Sequence, residues 1–149
     1  MQIRKYLKQD DEAAIINLLK LNTPQYFAQE EEKDLIFFLE NHVQNFFVLE
    51  VDNEILGCGG YNFSDDLSTG KLSWDIIHPQ HQGRGYGTKL TQFRIAQLKT
   101  YPTVKTISVR TSQLVYPFYE KFGFKTKEII KDFWAVGFDL YWMEFDLNI

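Results

Sequence analysis

The chain has 149 residues, 44% of them apolar and 16% aromatic, which suits one folded domain with a sizeable core rather than a disordered segment. A formal net charge of −4 excludes a generally basic surface for nucleic acid or anionic membrane, so an anionic ligand must be held by local groups. The single cysteine, Cys58, excludes an internal disulfide, suits a reducing compartment, and reads as small buried filler between glycines. Residues 1–6 lack the apolar core of a signal peptide and no run reaches membrane-spanning length, so a soluble cytoplasmic protein is expected.

In chain order, residues 3–7 alternate weakly as a first strand. Asp10-Asp11-Glu12 then supplies acidic helix-start residues for the pattern at 13–19. Thr23-Pro24 breaks that helix, and Glu30-Glu31-Glu32 opens a second one, with Leu35, Phe38 and Leu39 on one face. The triplet is expected to be a solvated first turn. Strands follow at 46–51 and 54–58 around an Asp52-Asn53 hairpin turn, and at 71–77 after a loop at Ser64-Asp65-Asp66. A glycine-rich loop leads into a helix whose Leu90, Phe93, Ile95, Ala96 and Leu98 cover a broad arc. Tyr101-Pro102 ends it. A strand at 105–110 and a short helix at 114–122 come next, with Pro117 in its first turn and Gly123 as C-cap. Two last strands lie near 124–130 and 138–147. With no repeat or linker, this order predicts a single α/β domain spanning 1–149, built on a mixed, mostly antiparallel central sheet flanked by helices.

The chemistry concentrates at Ile76-Ile77-His78-Pro79 and the loop Gln82-Gly83-Arg84-Gly85-Tyr86-Gly87-Thr88 that follows. Glycines allow close backbone approach, and a helix start offers free N–H groups with a positive dipole end, so this is an anion cradle. The dinucleotide fingerprint fails because its third glycine falls on Thr88. The P-loop fails because Lys89 follows Thr88 and precedes Leu90. What remains is Q-x-x-G-x-G, after a strand and before a helix.

That pattern resembles the coenzyme A loop of the GCN5-related N-acetyltransferase (GNAT) superfamily. Two contexts agree with it. The apolar strand ends in His78-Pro79, and Phe118-Tyr119-Glu120-Lys121-Phe122-Gly123-Phe124 resembles the second family signature. The resemblance implies splayed strands at the site and acetyl-CoA as co-substrate, with the pyrophosphate on backbone N–H groups of 82–88. It also implies pantetheine contacts from the main chain at Ile76, Ile77 and His78. The Arg84 side chain either pairs with a phosphate or is solvated. Ser112 stands where many relatives carry an asparagine near the coenzyme, with Thr111 and Gln113 as substitutes, and Val115 stands where alanine is usual.

Acyl transfer to an amine requires a deprotonated amine, donors for the developing oxyanion and an acid for the departing thiolate. The resemblance makes Tyr119 that acid; packing among Phe118, Phe122 and Phe124 is the alternative. Asp75 is the candidate base, against a role that only orients a neighbour. Alternation puts Asp75 with Ser73 and Ile77, opposite Trp74 and Ile76, unless a bulge changes the faces. His78 suits a base by pKa but more often ends the strand. His42, His78 and His81 have no metal spacing, so no metal is expected.

The acceptor site implied by the resemblance is bordered by the segments at 23–27 and 132–137. Tyr26, Phe27, Phe133 and Trp134 there either wall a pocket for a cationic amine or belong to the core. Overall acidity favours small amines or basic peptides as acceptors. The reading is therefore an N-acetyltransferase acting on a small-molecule or peptide amine by direct transfer in a ternary complex. A silent coenzyme A sensor and a structural subunit are the alternatives. A homodimer is common in the family, and the sequence specifies no interface.

Overall fold

Short apolar runs separated by turn residues produce seven strands and four helices in the computed structural model, which describes residues 1–147. In order they are β1 (Gln2–Lys5), α1 (Lys8–Leu21), α2 (Glu31–Asn41), β2 (Phe46–Val51), β3 (Glu54–Phe63), β4 (Thr69–Ile77), α3 (Tyr86–Leu98), β5 (Thr106–Thr111), α4 (Tyr116–Glu120), β6 (Lys125–Ala135) and β7 (Phe138–Asp146). The strands form one sheet ordered β1-β2-β3-β4-β5-β7-β6. Every neighbouring pair is antiparallel except β4 and β5. The element order and the mixed sheet agree with the expectation from sequence.

The centre of the sheet is covered on both faces, while β6 is largely exposed. Ile15, Leu18, Leu19, Leu35, Phe38 and Leu39 of α1 and α2 pack on Phe46, Val48, Cys58 and Ile76. On the opposite face, Leu98 of α3 and Tyr119 of α4 pack on Phe47, Tyr61, Leu72, Ile107, Val109 and Met143. The β2–β3 turn has Asp52 and Asn53 both at positive φ, 50° and 65°, the geometry that matches strand twist in a two-residue hairpin.

Two local features place the site. First, β3 and β4 lose register between Cys58 and Gly60: Ile76 pairs with Cys58, but Gly60 pairs with Ser73. The extra residue puts Trp74 at φ +51° and bends β4, the usual effect of a bulge. Leu72 and Asp75 consequently share the α3 face, while Trp74 and Ile76 face α1 and α2. Ser73 is thereby separated from Asp75, contrary to simple alternation. Second, β4 and β5 pair only from Thr69↔Thr106 to Leu72↔Val109. Beyond that point β5 stays with β7 as far as Thr111↔Tyr141, and β4 stays with β3, so the parallel pair splits.

Some boundaries differ from the sequence reading. The fourth helix is one turn rather than residues 114–122, because Ser112 forms a turn with Leu114, Val115 and Tyr116 ahead of it. The last two strands run further along their hairpin than expected at β6. Glu31 is not solvated: it is buried and its Oε2 accepts from the Ala28 N–H at 2.8 Å. Burial raises its pKa, against the pull of that hydrogen bond. Asp11, too, is buried at the start of α1, accepting from the Leu7 N–H at 2.7 Å and paired with Arg4 at 2.9 Å.

Candidate active site

Pro79 restricts the backbone after β4, and residues 79–81 form a single 3-10 turn capped by His78, whose Nδ1 accepts from the Gln80 N–H at 3.2 Å. His78 thus ends the strand. Gly83 and Gly85 follow at φ +82° and +83°, angles that side chains rarely allow. A Cβ at either position would meet no protein atom within 4 Å. Both glycines therefore serve the backbone path and the open space beside it, not internal packing. Gly85 is the N-cap of α3 and offers no side chain, so the N–H groups of Tyr86, Gly87 and Thr88 in the first turn have no intrahelical partner. Gln82, Gly83, Arg84 and Gly85 are exposed, while Tyr86, Gly87 and Thr88 are half-buried. These orphan donors at the positive end of α3 form an anion cradle. The Arg84 guanidinium lies 3.1 Å from Nδ1 of His81.

The split strands continue from the cradle. Ile77 is half-buried between Gly57 and Gly87, and its carbonyl accepts from Asn22 Nδ2 at 3.1 Å. The side chain of Ile76 is buried core. Beyond Leu72, no residue of β4 pairs with β5 among the described residues, which leaves a main-chain edge between the two strands.

Beside this edge lies a polar group of three residues, Arg94 and Tyr119 buried and Asp75 half-buried. Arg94 of α3 is fully buried and pairs with Oδ1 of Asp75 on β4. The other carboxylate oxygen accepts from the Tyr119 hydroxyl of α4. Arg94 also donates to the carbonyls of Gly60 at 3.0 Å and Leu90 at 3.2 Å. Burial opposes the Arg94 charge, but Asp75 outweighs it and holds the guanidinium protonated. Burial, reinforced by the Asp75 charge, pushes the Tyr119 hydroxyl well above its usual pKa. It also pushes up the thiol of Cys58, which is buried filler and not a nucleophile. Gly59 forms the floor of the group: a Cβ there would sit 2.9 Å from both Arg94 and Asp75.

Arg94 is the residue that sequence reasoning missed. Its signal was present, since Leu90, Arg94 and Leu98 are spaced four apart, placing a charge within the apolar face of α3. Such a charge needs a buried partner. Ser112 is buried, and its hydroxyl accepts from the Leu114 N–H at 3.2 Å. Gln113 clasps the β6–β7 turn through Gly137 at 2.7 Å and Asp139 at 2.9 Å, and the Thr111 carbonyl accepts from Trp134 at 3.1 Å. The Gln113 side chain, one of the two substitutes for the missing asparagine, is therefore engaged, whereas at Thr111 the bond is to the main chain.

Across the sheet, Phe27 stacks on Trp74 with centroids 6.2 Å apart, and Tyr26 is half-buried beside it in sequence. Phe133 and Trp134 meet edge to face at 5.1 Å, and Arg110 lies over both. Three of the four rings expected to hold a cationic amine, Phe27, Phe133 and Trp134, are thus already engaged by a neighbouring ring or an arginine. Among the described residues, no group of three or more His, Cys, Asp or Glu side chains is placed to hold a metal ion, and no helix is long and apolar enough to cross a membrane.

A sheet split beside a glycine-lined helix N-terminus defines a class, the acyl-coenzyme A-dependent acetyltransferases, and acetyl-CoA is the co-substrate that suits this site. Residues 42–126 match the acetyltransferase (GNAT) domain, and the chain belongs to that family. An N-alpha-acetyltransferase of Sulfurisphaera tokodaii is 29% identical over 148 residues, covering 89% of this chain and 84% of that protein. The amino-acid acetyltransferases of Neisseria meningitidis serogroups A and B are 34% identical over 53 residues, 36% of this chain; the match spans only 12% of their length. An aminoglycoside 6'-N-acetyltransferase complexed with coenzyme A has the same fold, with a TM-score of 0.78 at 15% identity over 98% of this chain and 97% of that one.

Proposed function

We propose that this chain transfers the acetyl group of acetyl-CoA to a primary amine of a small molecule or peptide, directly and in a ternary complex, in the cytoplasm. The observation that carries this reading is the parallel pair that stops at Leu72↔Val109, between the glycine cradle and the Asp75–Tyr119 contact. Relatives named for amino acids and for N-alpha amines support an amine acceptor without choosing between the two.

Acetyl-CoA supplies an acyl group activated as a thioester. The cradle from Gln82 to Thr88 binds its pyrophosphate through N–H groups, and the β4 edge aligns the arm so that the thioester lies in the split. N–H groups of that edge are the available donors for charge developing on the carbonyl oxygen. The amine nitrogen, as its free base, bonds to the carbonyl carbon; the carbon–sulfur bond breaks, nitrogen loses one proton and sulfur gains one. Tyr119 donates at sulfur by rotating its O–H away from Asp75 while the oxygen stays in place. Burial keeps this phenol neutral, so it is always a donor at working pH. Asp75, committed to Arg94 and Tyr119, is a positioning residue that holds the phenol oxygen, and the amine gives its proton to solvent. This assigns Asp75 the orienting role rather than that of base.

An amine panel with detection of free coenzyme A thiol tests the proposal. Amine-dependent thiol release supports it. Acetyl-CoA binding by calorimetry without release for any amine overturns it in favour of a sensor, and absence of binding in favour of a structural subunit.

A further inference from the structure

Arg110 has no role in the scheme above, yet its placement is specific. It lies on β5 one residue past the last β4–β5 pair, Leu72↔Val109, and so at the mouth of the split. Ile107 and Val109 face the α3 side, so alternation sends Arg110 to the opposite face, the one Trp74 occupies from β4. The cradle and Tyr119 belong to the α3 and α4 side. The amine must therefore approach from the face that Trp74 and Arg110 flank.

The guanidinium is held but unpaired. Its central carbon lies 5.0 Å from the Phe133 centroid and 5.8 Å from that of Trp134. Trp134 is fixed by its bond to the Thr111 carbonyl, and the turn that follows the strand carrying both rings is clasped by Gln113. Stacking of this kind leaves the in-plane N–H donors free. The other three arginines are engaged: Arg4 with Asp11 and Glu50, Arg94 with Asp75, and Arg84 with His81. Arg110 has no ion pair or hydrogen bond among the described residues. In its cross-strand row, Arg110–Trp142–Glu128, the one carboxylate stands beyond the tryptophan.

A stacked arginine with a free planar fork is built to receive a carboxylate. We propose that Arg110 determines acceptor specificity by binding a carboxylate of the amine substrate, so that the acceptor class is amino acids and related carboxylate-bearing amines. This deepens the acetyltransferase reading and rests on it. It also reverses the expectation from the net charge of −4, because a local cation on an acidic protein selects for an anionic group at that one point.

The test compares matched acceptors: alanine with alaninamide, glutamate with its diamide, and lysine with 1,5-diaminopentane. The proteins are wild type, Arg110→Gln and Arg110→Lys. A hydrogen-bonded charge pair predicts a carboxylate preference in kcat/KM of about 10–100-fold, mainly through KM. Arg110→Gln removes that preference, Arg110→Lys keeps part of it, and acetyl-CoA affinity is unchanged in both. Tryptophan fluorescence, with Trp134 beside the guanidinium, reports binding of the N-acetylated acids without turnover. Equal use of acids and amides by the wild type overturns the proposal, as does a preference that survives in Arg110→Gln. If no amine is acetylated, the transferase reading fails separately; saturable quenching by the acids that Arg110→Gln abolishes still supports the carboxylate site, and no quenching overturns it.

Discussion

Arg94→Met tests whether the buried polar group holds the site together. The substitution preserves much of the side-chain volume on α3. It removes the ion pair with Asp75 and the bonds to the Gly60 and Leu90 carbonyls. It leaves the Asp75 carboxylate, whose side chain is 20% exposed, facing Tyr119 without a counter-charge. Removing one member of a buried pair costs about 3–5 kcal/mol. With a urea m-value of about 2 kcal/mol/M, the midpoint falls by roughly 2 M. Asp75→Asn incurs a similar loss because Arg94 is then the orphan. The double variant relieves both, so a coupling of about 2–3 kcal/mol is expected in a double-mutant cycle. The assay is urea unfolding followed by far-ultraviolet circular dichroism. A loss for Arg94→Met below about 1 kcal/mol, with coupling below about 0.5 kcal/mol, refutes the reasoning.

The remaining predictions concern the cradle, the acid and one helix start. Gly85→Glu introduces a positive-φ strain of about 1–2 kcal/mol, and its Cβ meets no protein atom, so the fold survives while calorimetry shows acetyl-CoA affinity lost by at least about 100-fold. Tyr119→Phe lowers kcat by about 100-fold or more with little change in acetyl-CoA Kd. Wild-type turnover in that variant assigns the acid elsewhere. Because the Tyr119 pKa is raised, its ionisation contributes no alkaline limb to the rate profile up to about pH 10. Glu31 has a raised folded pKa, so its contribution to stability is fully present below its unfolded value and is lost as pH rises through the folded one. Glu31→Gln keeps an acceptor for the Ala28 N–H without the buried charge. It therefore raises Tm at pH 7 and flattens the fall in stability above about pH 4.3, read by thermal melts across pH.

Local chemistry made much of this protein legible before any fold was known. The glycine loop after a proline-terminated strand, the Asp52-Asn53 turn and the order of helices and strands depend on backbone preferences and apolar spacing, which neighbouring residues largely settle. Candidate donors at the cradle followed from the same reasoning, because helix starts and positive-φ glycines are properties of a few consecutive positions. What the tertiary structure decided depends on partners far apart in the chain. Asp75 meets Arg94 and Tyr119 only because a bulge at Trp74 changes which β4 residues face α3; alternation from Leu72 by itself sends Asp75, together with Ser73, to the opposite face. Glu31 was read as solvated because an acidic triplet normally is; the fold buries one of the three. Arg110 was unremarked because a lone arginine on a strand carries no signal until the end of β6 sets two rings beneath it. Short-range forces choose the elements and shape the donor site. The proposed acceptor side draws on residues 74, 110 and 134 of three different strands, far apart in the chain, and only their packing brings them to one face.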